Sequence, residues 1–278
     1  MLKKIISLLL VCFVLVGCKA NQISGRSQFM LIPEDMAISE SNKAYKAMLA
    51  PIKKDGKLNT DPVMLERVKN ITGRLVAQAV LYRPDSKSWN WSVQVIDEPE
   101  VVNAWAMAGG RMAIYSGLIT KLEATDDEIA QVMAHEISHA LLAHTQERMS
   151  RALAMQLGIT ALSIAIQDEK YGGVAVQGTA LAAIVALELP NSRTAESESD
   201  RVGIEIAAKA GFDPKAAVSL WKKMANESGQ NDSRFDFLST HPAPVKRVEE
   251  LEKLTEVMMP FYEDQSPRPT HPVSGGDI

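Results

Sequence analysis

Two histidines and a glutamate stand together in Ala134-His135-Glu136-Ile137-Ser138-His139. On a helix, four residues turn the chain through about 400°, so His135 and His139 project from nearly one face. Two imidazoles one turn apart can reach the same tetrahedral zinc ion. Glu136 lies beside the first histidine and is not itself a ligand. It is placed to take a proton from a metal-activated water, as the general base of a metallohydrolase. The plain alternative is an amphipathic helix that happens to carry two histidines.

A catalytic zinc takes three protein ligands and keeps one position open. With the metzincin spacing, glycine would stand at 142 and histidine at 145. Those positions hold Leu142 and Thr145, which excludes that class. His144 falls about 180° round a continuing helix from His135, so it is expected to point away from the metal. A carboxylate from a second helix remains, and Glu196-Ser197-Glu198-Ser199-Asp200 offers one. Glu196 can bind zinc while Asp200, one turn on, accepts the other ring N–H of a ligand histidine and fixes its tautomer. Glu198 is rotated by about 200° and should face elsewhere. In isolation such a run would read as a solvated acidic helix start.

The elements that must position these groups are mostly helical. Ser39 to Lys53 has helical spacing and breaks at Pro51, and Asp61-Pro62 opens a second helix. Trp89, Trp91, Val93 and Val95 alternate with polar residues, the pattern of a half-buried strand. Asn103 to Met107 and Arg111 to Tyr115 read as a hairpin around Gly109-Gly110. Thr125 and Glu128 form a capping box that starts the His135 helix, which is expected to run through Met149. Leu153–Ile166 and Val174–Leu189 read as buried helices, with a membrane hairpin as the alternative. Ser192 to Ala210 and Pro242 to Glu256 complete the helices, and 265–278 reads as disordered.

The 278 residues carry 30 basic and 34 acidic side chains, a net charge of −4, which gives no support to nucleic acid as a partner. Lys3 and Lys4 precede an apolar run from Ile5 to Val16, a targeting segment too short to span a bilayer comfortably. Leu15-Val16-Gly17-Cys18 resembles the lipobox of bacterial lipoproteins, which implies cleavage before Cys18 and its lipidation. Lys19 and Ala20 follow in place of the aspartate that retains lipoproteins at the inner membrane. By that resemblance the chain is expected on the periplasmic face of the outer membrane, held there through Cys18. Residues 1–17 then form a signal peptide, 18–38 a lipidated tether, 39–262 the catalytic domain and 263–278 a tail. Cys12 and Cys18 are the only cysteines, so the mature domain is expected to lack a disulfide.

H-E-x-x-H followed by E-x-x-x-D on a later helix resembles the gluzincin arrangement, and in this form the M48 peptidases. Asn103-Ala104-Trp105-Ala106, Gly110-Arg111 and Tyr115-Ser116-Gly117-Leu118 match that family's segment before the catalytic helix. Glu196 to Gly203 matches its E-x-x-A-D-x-x-G, with Ser199 in place of alanine, and Thr240-His241-Pro242 with Arg247 matches a downstream His-Pro element. The lipobox narrows the likeness to bacterial periplasmic lipoprotein proteases, relatives of the mitochondrial Oma1-like enzymes.

The resemblance implies an α+β, predominantly helical, zincin-like fold with a small β-sheet, and a metalloendopeptidase with one Zn2+ per chain. It implies His135, His139 and Glu196 as metal ligands, Glu136 as base and Asp200 behind the ligands. His241 and Tyr115 are candidates to stabilise the oxyanion, and His241 has a second role open to it as a latch on the metal. Asn103, Ala104, Gly110 and Arg247 are expected to bind or position substrate, with the glycines letting a peptide backbone approach a strand edge. Polypeptides, here unfolded or misassembled envelope proteins, are the expected substrates, with outer-membrane assembly machinery as a partner. The rival reading is a non-enzymatic assembly factor or chaperone that keeps a structural zinc.

Overall fold

In the computed structural model the described residues are 18–165, 189–228, 236–241 and 247–276. Strands β1 (Cys18–Ala20) and β2 (Ser27–Phe29) form an antiparallel hairpin. Helices α1 (Glu34–Lys54) and α2 (Pro62–Tyr82) lead to β3 (Ser92–Ile96), β4 (Ala104–Met107) and β5 (Arg111–Tyr115). Then come α3 (Ser116–Thr120), α4 (Asp126–Leu141), α5 (His144–Ala165), α6 (Leu189–Lys209), α7 (Lys215–Ser228), α8 (Asp236–Thr240) and α9 (Arg247–Glu263). The fold is α+β and mostly helical, as expected.

Local chemistry sets the helix starts. Asp61 caps α2 by accepting from the amides of Val63 and Met64, with Pro62 at the first position. Thr125 and Glu128 close the capping box of α4. Pro51 does not end α1, which runs on to Lys54.

The three-stranded sheet has the order β3-β5-β4, with β3 parallel and β4 antiparallel to β5. The expected hairpin is present. Strand β3, however, is buried on both faces. One face packs on the main core under α2 and α4, and Tyr45 and Leu49 of α1 cover the other. That second layer is why Ser92 and Gln94 are buried despite their polarity.

Three further expectations are corrected. The segment read as a tether is folded: Gln28 is 1% exposed, and Ile23 packs on the core. The described part of the tail, to Gly276, is also ordered. Ser274 pairs with Ser92, exchanges backbone hydrogen bonds with Trp91 and Val93, and brings Val273 into the core. Lastly, the His135 helix stops at Leu141, because Ala143 adopts a left-handed φ of 56° and α5 starts afresh at His144. The carbonyl of Leu142 released there accepts hydrogen bonds from the side-chain amides of Asn21 and Gln28 on the N-terminal hairpin.

Of the pair of apolar segments, the part up to Ala165 continues α5, and 166–188 lies outside the described residues, as does the leader. Among the described residues no helix is long and apolar enough to cross a membrane.

Candidate metal centre

Helix α6 lies directly against α4, and Gly203 is what allows it. A Cβ at that position would stand 2.9 Å from the amide nitrogen of His135. The close approach carries Glu196 and Asp200, one turn apart on α6, up to the two histidines of α4.

His135, His139, Glu196 and His241 each offer one ligand atom, all within 4.8 Å of one another. His135 Nε2 stands 3.1 Å from His139 Nε2, 3.3 Å from Glu196 Oε2 and 3.4 Å from His241 Nδ1. Glu196 Oε2 is 3.0 Å from His241 Nδ1, and its Oε1 is 3.5 Å from His139 Nε2. A tetrahedron around zinc with bonds of about 2.0–2.1 Å has edges of roughly 3.3–3.4 Å. Four of the six edges of a tetrahedron built on Glu196 Oε2 therefore fall close to the required length, and the other oxygen of that carboxylate approaches His139. The outer nitrogens strengthen the fit. Asp200 Oδ1 lies 3.0 Å from His135 Nδ1, and His144 lies 3.0 Å from His139 Nδ1, so both ring protons are drawn outward. The two Nε2 atoms then face each other at 3.1 Å, an arrangement that requires a cation between them, either a metal ion or, in its absence, a proton. The N,N,O,N donor set suits zinc.

Electrostatics around the group agree. Burial works against the charge of Glu196, yet His135 and His241 hold its pKa far below the carboxylate range. Burial likewise opposes Asp200, and His135 and Arg247 keep it ionised. Burial pulls His135 down, but hydrogen bonds to Asp200 and Glu196 prevail and hold its pKa at about 9 in the metal-free protein. Burial pushes Glu136 up, with His241 and His135 partly opposing.

Glu136 follows His135 on α4 and turns toward the sheet. Its Oε2 accepts from the amide of Ala106 at 3.2 Å. Its Oε1 is buried without a hydrogen-bond partner, 3.3 Å from His241 Nε2 but out of line with it. Glu136 thus bridges the metal group and strand β4, whose far edge bounds a cleft of ≈ 890 Å³.

Several sequence expectations change here. Arg247 is 2% exposed and does not line the cleft. It grips Asp200 through two bonds of 2.6 Å, reaches Glu196 at 3.1 Å and stacks on Trp221. It positions the carboxylates and is buried away from substrate. Gly110 does not line the cleft either; with φ 83° it turns the hairpin under the ring of Trp91, where a Cβ would lie 2.7 Å away. The strand edge offered to the cleft is β4, with Ala104 at its start and Asn103 just before it, and both line the cleft. Tyr115 lines the cleft wall that Glu136, His139 and His241 also line, and packs with the Tyr45 and Leu49 cluster. His241 stands within the ligand group, stacked on Phe237 with centroids 4.5 Å apart.

The residue that sequence reasoning misplaced is His144. The break at Ala143 swings it back onto His139, where it is 7% exposed. Glu198 does face away from the ligands, as expected, and meets His144 Nε2 at 3.0 Å.

The sequence matches the M48 peptidase family over residues 62–255. The chain belongs to this family. It is 29% identical over 253 residues to the mitochondrial metalloendopeptidase OMA1 of Saccharomyces cerevisiae, covering 87% of this chain and 70% of that protein. It is 33% identical over 195 residues to a putative beta-barrel assembly-enhancing protease of Vibrio cholerae, covering 68% of this chain and 38% of the relative. Against bovine OMA1 it is 28% identical over 254 residues and spans 48% of that protein's length. Family and donor set together make this M48 chain a metalloendopeptidase.

Proposed function

We propose that this M48 peptidase is a zinc-dependent endopeptidase of the bacterial cell envelope, lipid-anchored through Cys18 at the periplasmic face of the outer membrane. Its substrates are unfolded or misassembled envelope proteins. The observation that carries the catalytic part is Glu136, a buried carboxylate held between four convergent ligand atoms and an edge strand. The lipobox supports the location, and the named assembly-enhancing proteases among its relatives support the quality-control role.

His135, His139 and Glu196 would hold the zinc. When bound, the metal supplies Lewis acidity toward water and the scissile carbonyl. Glu136 takes the proton of the attacking water and returns it to the leaving amine. An extended peptide adds to the free edge of β4. The outward amides there are those of Ala104 and Ala106, now turned to Asn103 Oδ1 and Glu136. Recognition through main-chain groups is weakly selective for sequence, which suits unfolded chains.

One observation favours the structural-zinc chaperone as a second reading. Four protein ligands converge, which is the closed form of a zinc site. His241 reconciles it with catalysis if it acts as a latch, filling the fourth position until it moves. It stands one residue beyond the short helix α8, and among the described residues its ring meets Phe237 in a stack, the ligand group and Glu136. A His241→Ala variant separates the roles: higher casein cleavage supports the latch, lower cleavage a stabiliser. Glu136→Gln should retain zinc and lose about 10²- to 10⁴-fold in peptide hydrolysis. Full biological activity in that variant would leave the chaperone reading in place of the enzyme.

A further inference from the structure

The outer side of His139 is held by a line of side chains that the chemistry above does not use. His139 Nε2 faces the ligand group, so its proton sits on Nδ1, 3.0 Å from Nδ1 of His144. His144 can accept there only if its own proton is on Nε2. That nitrogen lies 3.0 Å from Oε2 of Glu198, a carboxylate that can only accept. Each tautomer is therefore dictated by the next group along. Glu198 Oε1 accepts from Arg26 Nε at 2.9 Å. The two terminal nitrogens of Arg26 clamp Glu147 at 2.8 and 2.7 Å, and Gln28 and Arg151 complete that carboxylate. Ser199, where the family pattern has alanine, places its hydroxyl 3.4 Å from His144 Nδ1. The helix break makes the line, since a continuous α4 would have sent His144 to the opposite face.

We propose that His144 is a positioning residue for the metal ligand His139, with Glu198 and Arg26 fixing its tautomer from the N-terminal hairpin. The metal centre and the segment that begins at Cys18 are then joined through hydrogen bonds, and lifting the hairpin loosens a metal ligand. This inference rests on the metallopeptidase reading above.

The test is the zinc dissociation constant of the full chain, by competition with a chromophoric chelator, alongside kcat and KM on a quenched peptide. His144→Phe keeps the ring volume and removes both nitrogens. It should weaken zinc binding about 10- to 100-fold, lowering kcat at saturating zinc while KM stays put. Arg26→Ala should weaken it less. The double variant should be no worse than His144→Phe alone, because the line is already cut. Losses that simply add would mean independent packing effects and would overturn the proposal. Should His144→Phe fail to fold, Glu198→Ala, at a half-buried position, decides the matter in the same assay. Unchanged zinc affinity in whichever variant folds overturns the relay and leaves the peptidase intact. A wild-type protein that takes up no zinc brings down both.

Discussion

The two histidines of α4 sit one turn apart on the same helix and are supported in opposite ways. Behind His135 stands Asp200, locked by Arg247, with both partners buried and an aromatic ring beneath the guanidinium. Behind His139 stands another histidine, and its support runs through the half-buried Glu198 to the partly exposed Arg26 of a surface hairpin. The first ligand is fixed by ions sealed in the core, so its support cannot yield without unfolding. The second is fixed through a neutral histidine and an ion pair whose arginine, 21% exposed, comes from a separate segment, and it can.

If that contrast holds, the largest effect should come from the His135 side. Arg247→Met leaves Asp200 and Glu196 buried without their cation, and should cost about 3–5 kcal/mol in urea unfolding, with loss of stoichiometric zinc. A variant as stable as the parent would abolish the distinction. Gly203→Ala presses α6 off the backbone of His135. A loss of about 1–3 kcal/mol is expected, accompanied by weaker zinc binding, and calorimetry with metal analysis reads both.

The pH response of the metal-free protein sharpens the same contrast. His135 has its pKa raised to about 9, so its protonated form adds stability that is complete below about 6.5 and disappears as pH rises through 9. Urea midpoints with chelator should therefore fall between pH 6.5 and 10. Zinc replaces the proton, so loaded protein should not show this fall.

The smallest effect belongs to the hairpin. Burial opposes the charge of Glu198, but His144 and Arg26 bring its pKa down to about 2. Its contribution is present above about 4.5 and lost as pH falls through 2. Amide exchange in residues 18–32 should accelerate in that window before the core strands open. Simultaneous opening of both regions would show that the hairpin is part of the rigid unit after all.

The legible parts of the molecule were those with short-range spacing. The capping box, the Asp61-Pro62 start, the hairpin and the pairs His135/His139 and Glu196/Asp200 are all set by residues within a turn or two of each other. Spacing also misled where a neighbour far along the chain intervened. Alternation in β3 predicted one solvated face, and α1 covered it. Helical periodicity carried α4 past Leu141, and the amides of Asn21 and Gln28 stabilised the break. Low hydrophobicity made residues 18–38 a tether and 265–278 a loose tail, yet main-chain and ionic contacts order the described residues of both, which in the tail end at Gly276.

The chain by itself determined the metal-binding chemistry. A fixed helical repeat leaves residue types at i and i+4 only one mutual geometry, so the ligands, the base and Asp200 could be named before any coordinates. What folding alone decided was the distance between helices and the surroundings of each ligand. Gly203 lets two helices touch, Ala143 turns His144 inward, and Arg247 and Arg26 arrive from opposite ends of the sequence. Contacts between residues a hundred positions apart carry no spacing to read, because nothing but the packed core brings them together.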